Sequence, residues 1–271
     1  TTGSNNTAVG SSALDANTTG SYNTALGVNT LDANTTSNYN TAVGYEALAA
    51  NTDGAENVAI GSRCLPVNTT GDRNTAVGDQ ALKANTTGEH NTAMGFAALY
   101  NQTTGNRNTG LGYYALLNNT TASDNTAVGY WALVENTTGH SNVAVGKNAL
   151  TNSTTGSSNV AIGKDCMDSC TTGYDNVCVG QDAGETITTG YNNVIMGYIA
   201  GDTLSTGYNN MYLGKNADAS AGSVNHENTI GADLTGKGSS TTFIRGICYQ
   251  GNNSSTWSTT SDIRIKKNII D

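Results

Sequence analysis

The sequence has few of the residues on which most globular domains depend. Its 271 residues include one proline, two phenylalanines and two tryptophans, and only 12% are charged. So few charges argue against charge-driven disorder, and no run approaches the roughly 18 apolar residues of a membrane helix. The formal net charge of −9 disfavours nucleic acid and anionic membranes as partners. These absences argue against a globular enzyme, a membrane-spanning protein and a nucleic-acid-binding protein.

Asparagine, threonine and glycine are abundant instead, with 36, 42 and 33 copies. They favour turns and extended backbone over helix. An asparagine occurs at residue 6 and at every seventeenth residue to residue 210, with no insertion. A glycine follows each of these asparagines by four residues and recurs once more at Gly231. We number the positions of each 17-residue unit from this asparagine, and residues that share a position form a column.

The unit is too short for a repeat of two helices, which needs about 33 residues. Apolar residues at the second and fourth positions, such as Val58 and Ile60, alternate as in a strand with that face buried. Glycine then ends the strand, an Ala-Leu pair adds a second apolar element, and Asn-Thr-Thr-Gly turns the chain. The sequence therefore predicts an all-β fold, a parallel β-solenoid (β-roll) of 17-residue coils. Coils stacked about 4.8 Å apart would form a rod on the order of 65 Å long.

A constant coil length places identical side chains in columns along the rod. The first-position asparagines can form a ladder of side-chain amide hydrogen bonds, or they can be needed only for the turn. The third position is alanine in most units, with Gly110 and Cys178 as small replacements. Small residues there predict close approach to another part of the backbone.

The core of a single coil is thin. Each coil offers about four apolar side chains, two of which are alanine. Burying one valine or leucine contributes ~1.5–3 kcal/mol, whereas ordering one residue costs about 1–2 kcal/mol in backbone entropy. Oligomerisation compensates for so small a core. Three chains side by side would share a central seam, so we expect a homotrimer.

Residues 57–61 and 159–163 both read Asn-Val-Ala-Ile-Gly. These words resemble the head repeats of trimeric autotransporter adhesins, which are homotrimeric parallel β-rolls with a shorter unit. The resemblance implies a trimeric β-roll. It brings with it neither that family's membrane anchor nor a receptor.

Beyond a shaft at residues 1–231, the period ends. Residues 232–260 are rich in glycine, serine and threonine, and we interpret them as a C-terminal cap or connector with one apolar strand at 242–247. Residues 261–269 read Ser-Asp-Ile-Arg-Ile-Lys-Lys-Asn-Ile. This string resembles the start of the endosialidase-type intramolecular chaperone domain of phage tail spikes, tail fibres and giant-virus fibre proteins. Residues 261–271 then correspond to the incomplete beginning of that self-cleaving domain.

The chaperone resemblance implies trimer assembly followed by self-cleavage before the first serine. Ser261 and Lys266 match the serine and lysine that act together in that family, so the implied scissile bond is Thr260–Ser261. A desolvated lysine can take the proton of a serine hydroxyl when its own pKa falls. The alternative is that Lys266 and Lys267 form a solvated basic tail. The fibre body is predicted not to be an enzyme, and cleavage is expected only in a longer precursor.

Aromatic residues also fall into columns. Phe96, Tyr113 and Tyr130 share the sixth position of successive coils, and three tyrosines, at 174, 191 and 208, share the sixteenth. Stacked rings stabilise a solenoid. The sixth-position rings are also candidates for contact with a glycan, because sugar rings pack on exposed aromatic faces.

Five cysteines occur, at residues 64, 166, 170, 178 and 248. Cys166 and Cys170 are spaced for a disulfide or for half a metal site, but no second pair accompanies them. We expect no metal and no cofactor. Acceptors for N-glycosylation arise from the repeat itself, and their use depends on the compartment. Examples are the asparagines at residues 17, 34, 68, 85 and 136.

We predict a structural and adhesive fibre shaft of a virion, as a tail or capsid fibre, that spans to or presents a host-recognition surface. Its expected partners are copies of itself and a cell-surface glycan or receptor, in an extracellular setting. A bacterial surface adhesin or secreted filament is the alternative. An ice-binding solenoid is a third class, although adjacent threonines point to opposite faces. The chain opens within the turn of a unit, so we expect further coils or an attachment domain upstream.

Overall fold

The computed structural model describes residues 2–244 as a stack of short strands and turns. Within that range no helix is present that could cross a membrane, and no residue is helical. The strands are β1 (Thr7–Val9), β2 (Thr24–Leu26), β3 (Thr41–Val43), β4 (Val58–Ile60), β5 (Thr75–Val77), β6 (Thr92–Met94), β7 (Thr109–Leu111), β8 (Thr126–Val128), β9 (Val143–Val145), β10 (Val160–Ile162), β11 (Val177–Val179), β12 (Val194–Met196), β13 (Met211–Leu213), β14 (Ala217–Asp218), β15 (Asn228–Ile230), β16 (Leu234–Thr235) and β17 (Thr242–Ile244). The all-β prediction is confirmed.

Fifteen of these strands form one parallel sheet, in chain order from β1 to β13 and then β15 and β17. Partner residues are one unit apart, as in Thr41 opposite Val58. The last interval is shorter, because Asn228 of β15 lies opposite Thr242 of β17, 14 residues later. β14 and β16, at the eighth and ninth positions, pair as a separate two-stranded ladder. The parallel β-solenoid predicted from the period is confirmed.

The interior of each coil is narrow and holds side chains from the third, eighth and ninth positions. In the coil that begins at Asn74 these are Ala76, Ala81 and Leu82, all fully buried. Ala81 and Leu82 lie in a turn rather than in a strand, and Leu82 has a φ of 52°. A left-handed conformation costs a bulky residue roughly 1–2 kcal/mol, which the burial of the leucine, worth ~1.5–3 kcal/mol, offsets.

The buried face of the strand is the opposite of the predicted one. In β4 the third-position alanine is buried, whereas Val58 is half-buried and Ile60 is exposed. The reason is space: a methyl group added to Gly110 would lie 3.2 Å from the carbonyl oxygen of Ala115 and 3.3 Å from Leu99 Cγ. In the coils whose ninth position is leucine, only alanine or glycine fits at the third position, so the larger apolar residues of the strand point outward. The predicted close approach at the third position is confirmed.

The first-position asparagines form a buried ladder that also fixes the turns. The backbone N–H of Asn40 donates to Asn23 Oδ1 (2.9 Å), and Asn40 Nδ2 donates to the carbonyl of Gly54 (2.9 Å). In several coils the amides also bond to each other, as from Asn91 Nδ2 to Asn74 Oδ1 (3.0 Å) and from Asn193 Nδ2 to Asn176 Oδ1 (3.0 Å). Both roles left open by the sequence are therefore present, the ladder between coils and the support of the turn.

A second ladder, not predicted, runs through the twelfth position. Asn51 Nδ2 donates to Asn34 Oδ1 (3.2 Å) and to the carbonyl of Gly54 (2.8 Å). Asn68 Nδ2 donates in turn to Asn51 Oδ1 (2.9 Å). Two columns of amides thus flank the alanines and leucines, so the interior of the rod is partly polar.

The core changes composition in the C-terminal coils without changing shape. The ninth position, leucine in nine coils, becomes glycine at Gly184 and Gly201. A methyl group added to Gly201 would lie 2.7 Å from Ile195 Cδ1, and one added to Gly184 would lie 3.0 Å from Ile187 Cδ1. Isoleucines at the third and twelfth positions therefore fill the volume that leucine fills elsewhere, which keeps the packing density.

The fifth-position glycines bring successive coils together where each strand ends. Gly44 has a φ of 135°, and an added methyl group would lie 2.3 Å from the carbonyl oxygen of Gly61 in the next coil. No other residue type fits there. These glycines therefore set the register in which the outer side chains stack.

Candidate functional site

The sixth-position aromatic residues lie on the surface of three successive coils. The ring centroids of Phe96 and Tyr113 are 5.4 Å apart, and those of Tyr113 and Tyr130 are 5.3 Å apart. These side chains are 38%, 42% and 45% exposed along the series. The spacing follows from the rise of about 4.8 Å per coil, which brings identical columns into stacking distance. The structure thus brings the three predicted residues together as one exposed stack.

Two further rings, not predicted, widen this surface. The centroid of Tyr114 lies 4.1 Å from that of Tyr113, and the centroid of Trp131 lies 5.4 Å from that of Tyr130. Both residues occupy the seventh position, so the period that revealed the other column could have revealed this one. We refer to residues 96, 113, 114, 130 and 131 together as the aromatic patch.

A groove of about 300 Å³ lies beside the aromatic patch. Its walls come from the sixth, seventh, tenth and eleventh positions of adjacent coils. Tyr100, Tyr114 and Leu117, which help to line it, are half-buried. The full lining is Gln80, Phe96, Ala97, Tyr100, Asn101, Tyr114 and Leu117. None of these seven residues carries a charge, so the groove offers apolar faces and neutral polar groups.

The polar side of the groove is held by hydrogen bonds within and between coils. Lys83 Nζ donates to the hydroxyl of Tyr100 (2.7 Å) and to Gln80 Oε1 (3.1 Å). The same ammonium lies 4.7 Å from the centroid of the Tyr100 ring, within cation–π range. Asn101 Nδ2 donates to Asn118 Oδ1 (2.8 Å). These contacts fix the tyrosine ring and hold its polar neighbours in place.

The environment of Tyr113 favours the neutral form of its phenol. Hydrogen bonding with Tyr114 and partial loss of hydration raise the pKa of Tyr113 above its ordinary value. A neutral hydroxyl both donates and accepts hydrogen bonds. Because the sixth-position rings stack nearly parallel, the patch exposes apolar ring edges together with polar hydroxyl groups.

The sixteenth-position tyrosines form a second, separate stack. The centroids of Tyr174 and Tyr191 are 4.8 Å apart, and so are those of Tyr191 and Tyr208. The imidazole of His226 packs edge-on against Tyr208, with centroids 5.5 Å apart. Residues 174, 191 and 208 line no part of the groove beside the aromatic patch.

The described cysteines are buried free thiols. Cys166 and Cys170 are not joined to each other, and Cys166 Sγ instead contacts the carbonyl oxygen of Cys178 (3.3 Å). Burial raises the pKa of Cys64 to about 12 and that of Cys170 to about 11. Within residues 2–244 no group of three or more His, Cys, Asp or Glu side chains is placed to hold a metal ion. These thiols behave as small core residues.

The asparagines that match glycosylation acceptors are mostly inside the rod. Asn34, Asn68, Asn85 and Asn136 are fully buried, and their amides donate to the preceding asparagine of the twelfth-position ladder. Asn17 is half-buried at the N-terminal end of the same ladder. The folded coil therefore gives a glycosyl-transfer enzyme no access to the four buried amides.

The predicted cleavage residues lie outside the described part of the chain. These are Ser261 and Lys266, with the bond Thr260–Ser261. Cys248 and residues 245–247 of the predicted C-terminal strand lie outside it as well. Their assignments remain predictions from the sequence.

Comparison of the chain with protein-family models and with curated proteins gives no match.

Proposed function

We propose that the chain is the shaft of an extracellular, homotrimeric fibre with a structural and adhesive role. The main support is an apolar stripe along the outside of the rod. This outer stripe consists of the second- and fourth-position side chains of the long sheet. It runs in one line because each strand lies in constant register with the next.

The outer stripe is apolar at its fourth position along the whole shaft, whereas its second position is threonine in seven coils, asparagine in one, and valine or methionine in the other six. Its fourth position is valine, leucine, isoleucine or methionine in fourteen consecutive coils, and no charged residue occurs at its second or fourth position. Leu26, Ile60 and Met94 are 47%, 40% and 46% exposed. Soluble monomers rarely leave so long an apolar surface uncovered. A partner therefore accounts for the stripe better than solvent does.

A second copy of the chain fits the outer stripe better than an unrelated partner. Any partner must match a rung spacing of about 4.8 Å over the length of the rod. A parallel copy has the same spacing and presents apolar side chains on every rung. Three copies around one axis let each stripe contact the other two and close the assembly. The central seam then adds to a core that is thin within each chain.

The setting on a virion is supported by the resemblance of residues 261–269 to the chaperone domain of phage and viral fibres. The Asn-Val-Ala-Ile-Gly words support the alternative, a bacterial surface adhesin or secreted filament. Both settings use the same rod. Expression of a precursor extended beyond Asp271 tests the first: release of a C-terminal fragment that Ser261→Ala abolishes supports it. Equal behaviour of the two precursors contradicts it.

Threonine hydroxyls give less support to ice binding. The thirteenth-position hydroxyls of Thr52 and Thr69 each donate to a carbonyl oxygen of the next coil (3.1 Å). The fourteenth-position threonines such as Thr70 are exposed. One exposed threonine column is thus present beside a column whose hydroxyls bond within the rod. Measurement of thermal hysteresis separates this class from a fibre.

The trimer is tested by the mass of the chain in solution and by two lysine substitutions in one coil. We expect three times the mass of one chain for the parent. Ile60→Lys puts a charge in the outer stripe, so three ammonium groups would meet at the seam, and we expect dissociation. Ser62→Lys is the matched control, because Ser62 is exposed and its column already contains lysine at residue 147. A folded parent with the mass of a monomer contradicts the proposal, as does an Ile60→Lys variant that stays trimeric.

A further inference from the structure

We propose that the groove and the adjoining aromatic patch bind an uncharged glycan, with pyranose rings packed on the aromatic side chains. The inference specifies the adhesive part of the proposed function and rests on it. It concerns a side of the coil other than the outer stripe, because the groove is built from the sixth, seventh, tenth and eleventh positions.

Three columns carry apolar or aromatic side chains in the same three successive coils. The sixth position carries an aromatic ring at residues 96, 113 and 130, while the seventh carries Ala97, Tyr114 and Trp131. The tenth position carries Tyr100, Leu117 and Val134. In other coils the seventh position is mostly polar or charged, and the tenth is often acidic. Coils without these rings stack with the same register, so the cluster exceeds what the rod requires.

The lining indicates the chemical class of the occupant. A pyranose ring has an apolar face of C–H groups and a rim of hydroxyls, and it needs both kinds of contact at once. Tyr114 and Tyr100 offer flat aromatic walls, while Gln80 and Asn101 offer neutral amides within the same 300 Å³ groove. Ligand sites commonly combine apolar walls with a few fixed polar groups in this way.

Charge argues against the other classes of extended ligand. The seven lining residues carry no charge, and the chain has a formal net charge of −9. Nucleic acids bind mainly through lysine and arginine contacts with phosphate, which this lining does not supply. An uncharged, hydroxyl-rich chain matches the lining, and the ammonium of Lys83 at the polar side remains a hydrogen-bond donor for a hydroxyl.

The groove can be altered without breaking the fold, because each column already contains suitable replacements. Tyr114 has a φ of 58°, and its column contains asparagine at residues 29, 148 and 216 with similar φ values. Tyr114→Asn therefore removes the ring and keeps the backbone. Tyr100→Thr follows the tenth-position threonine at residue 151. Tyr191→Ser removes a ring from the separate sixteenth-position stack, whose column contains serine at 123 and 157, and serves as the control.

Binding is measured on the full chain with an array of neutral, sialylated and sulfated oligosaccharides. The best neutral binder is then titrated by Trp131 fluorescence in a Trp257→Phe background. We expect binding of neutral pyranose glycans, weakened on the order of tenfold or more by Tyr114→Asn and by Tyr100→Thr, as expected for the loss of a stacked ring. Tyr191→Ser should bind as the parent does.

Three outcomes overturn the inference: binding to no glycan, binding only to acidic glycans, or equal binding by the parent and both groove variants. The mass of the same samples is recorded, so the two proposals fail separately. A trimer that binds no glycan contradicts only the glycan site. A monomer that binds neutral glycans contradicts only the trimer.

Discussion

Ser153→Asn should stabilise the protein, because it extends the twelfth-position ladder by one rung beyond Asn136, where the ladder ends. Asn136 Nδ2 donates to Asn119 Oδ1 (2.8 Å) and to the carbonyl of Gly139 (2.9 Å). In the next coil the serine is too short to continue the series. As a result, Asn136 Oδ1 and Ser153 Oγ are both buried without a hydrogen-bond partner.

The expected gain follows from the number of unpaired atoms. An asparagine at this position would donate to Asn136 Oδ1 and to the carbonyl of Gly156, as its equivalents do. Its own carbonyl oxygen would face Cys170 in the following coil and stay unpaired. Two unpaired buried groups thus become one, and each costs about 1–3 kcal/mol. The loss of conformational entropy in the longer side chain offsets part of this stabilisation. We therefore expect the free energy of unfolding to rise by about 1 kcal/mol.

Urea unfolding measures this change, because the stability of a repeat protein is a sum of contacts within and between neighbouring units. The protein concentration is held fixed, because the stability of an assembled protein depends on concentration. The control is Ser157→Asn, four residues away at the sixteenth position, where Asn38 and Asn106 occur naturally. We expect a higher urea midpoint for Ser153→Asn and an unchanged midpoint for the control. A Ser153→Asn variant that is no more stable than the control would show that the ladder does not bear on stability.

Three further predictions concern the core and the coil spacing. Leu99→Ala should lower the free energy of unfolding by about 2–5 kcal/mol, since Leu99 is fully buried; a loss below 1 kcal/mol, within the range expected of surface changes, would contradict the packing. Gly61→Ala should prevent its coil from stacking correctly on the next one, because the added carbon would lie 2.4 Å from the carbonyl oxygen of Gly78. A variant with the circular dichroism spectrum and the urea midpoint of the parent would refute this. In a Cys248→Ser background the four remaining thiols should react with a thiol reagent only after unfolding, because all four are buried and burial raises the pKa of Cys64 to about 12. Rapid labelling of the native protein would contradict that burial.

The period predicted the fold because each unit repeats the same local sequence pattern. An asparagine, three strand residues and a glycine recur without insertion, so the strand at Val58–Ile60 and its neighbours could be located to the residue. The side of the strand that faces inward could not be read from hydrophobicity alone. It depends on the internal diameter of the coil, and the diameter follows from turns whose φ values, such as 53° at Leu48, contradict leucine's usual preference.

The candidate site was predictable only in part, because spacing identifies residues of one column but does not show which columns lie side by side. Phe96, Tyr113 and Tyr130 share one column and were found by spacing. The groove joins columns that are separated in the unit, as Tyr100 and Tyr114 are, and their proximity depends on how the turn between them folds. The twelfth-position ladder was hidden because its Asn-Thr-Thr words are equally typical of a surface turn.

The fixed unit length has a consequence for how such a molecule can vary. Because the coils up to Asn136 meet their neighbours through the same two columns of amide side chains and the same glycine contact, an in-frame duplication or deletion of one unit in that part of the shaft leaves the junctions between coils intact. The length of the rod can therefore change in whole steps of about 4.8 Å, while the sequences at its two ends stay the same. Natural length variants of this protein should differ by multiples of seventeen residues, and a gain or loss of any other size should be confined to its ends.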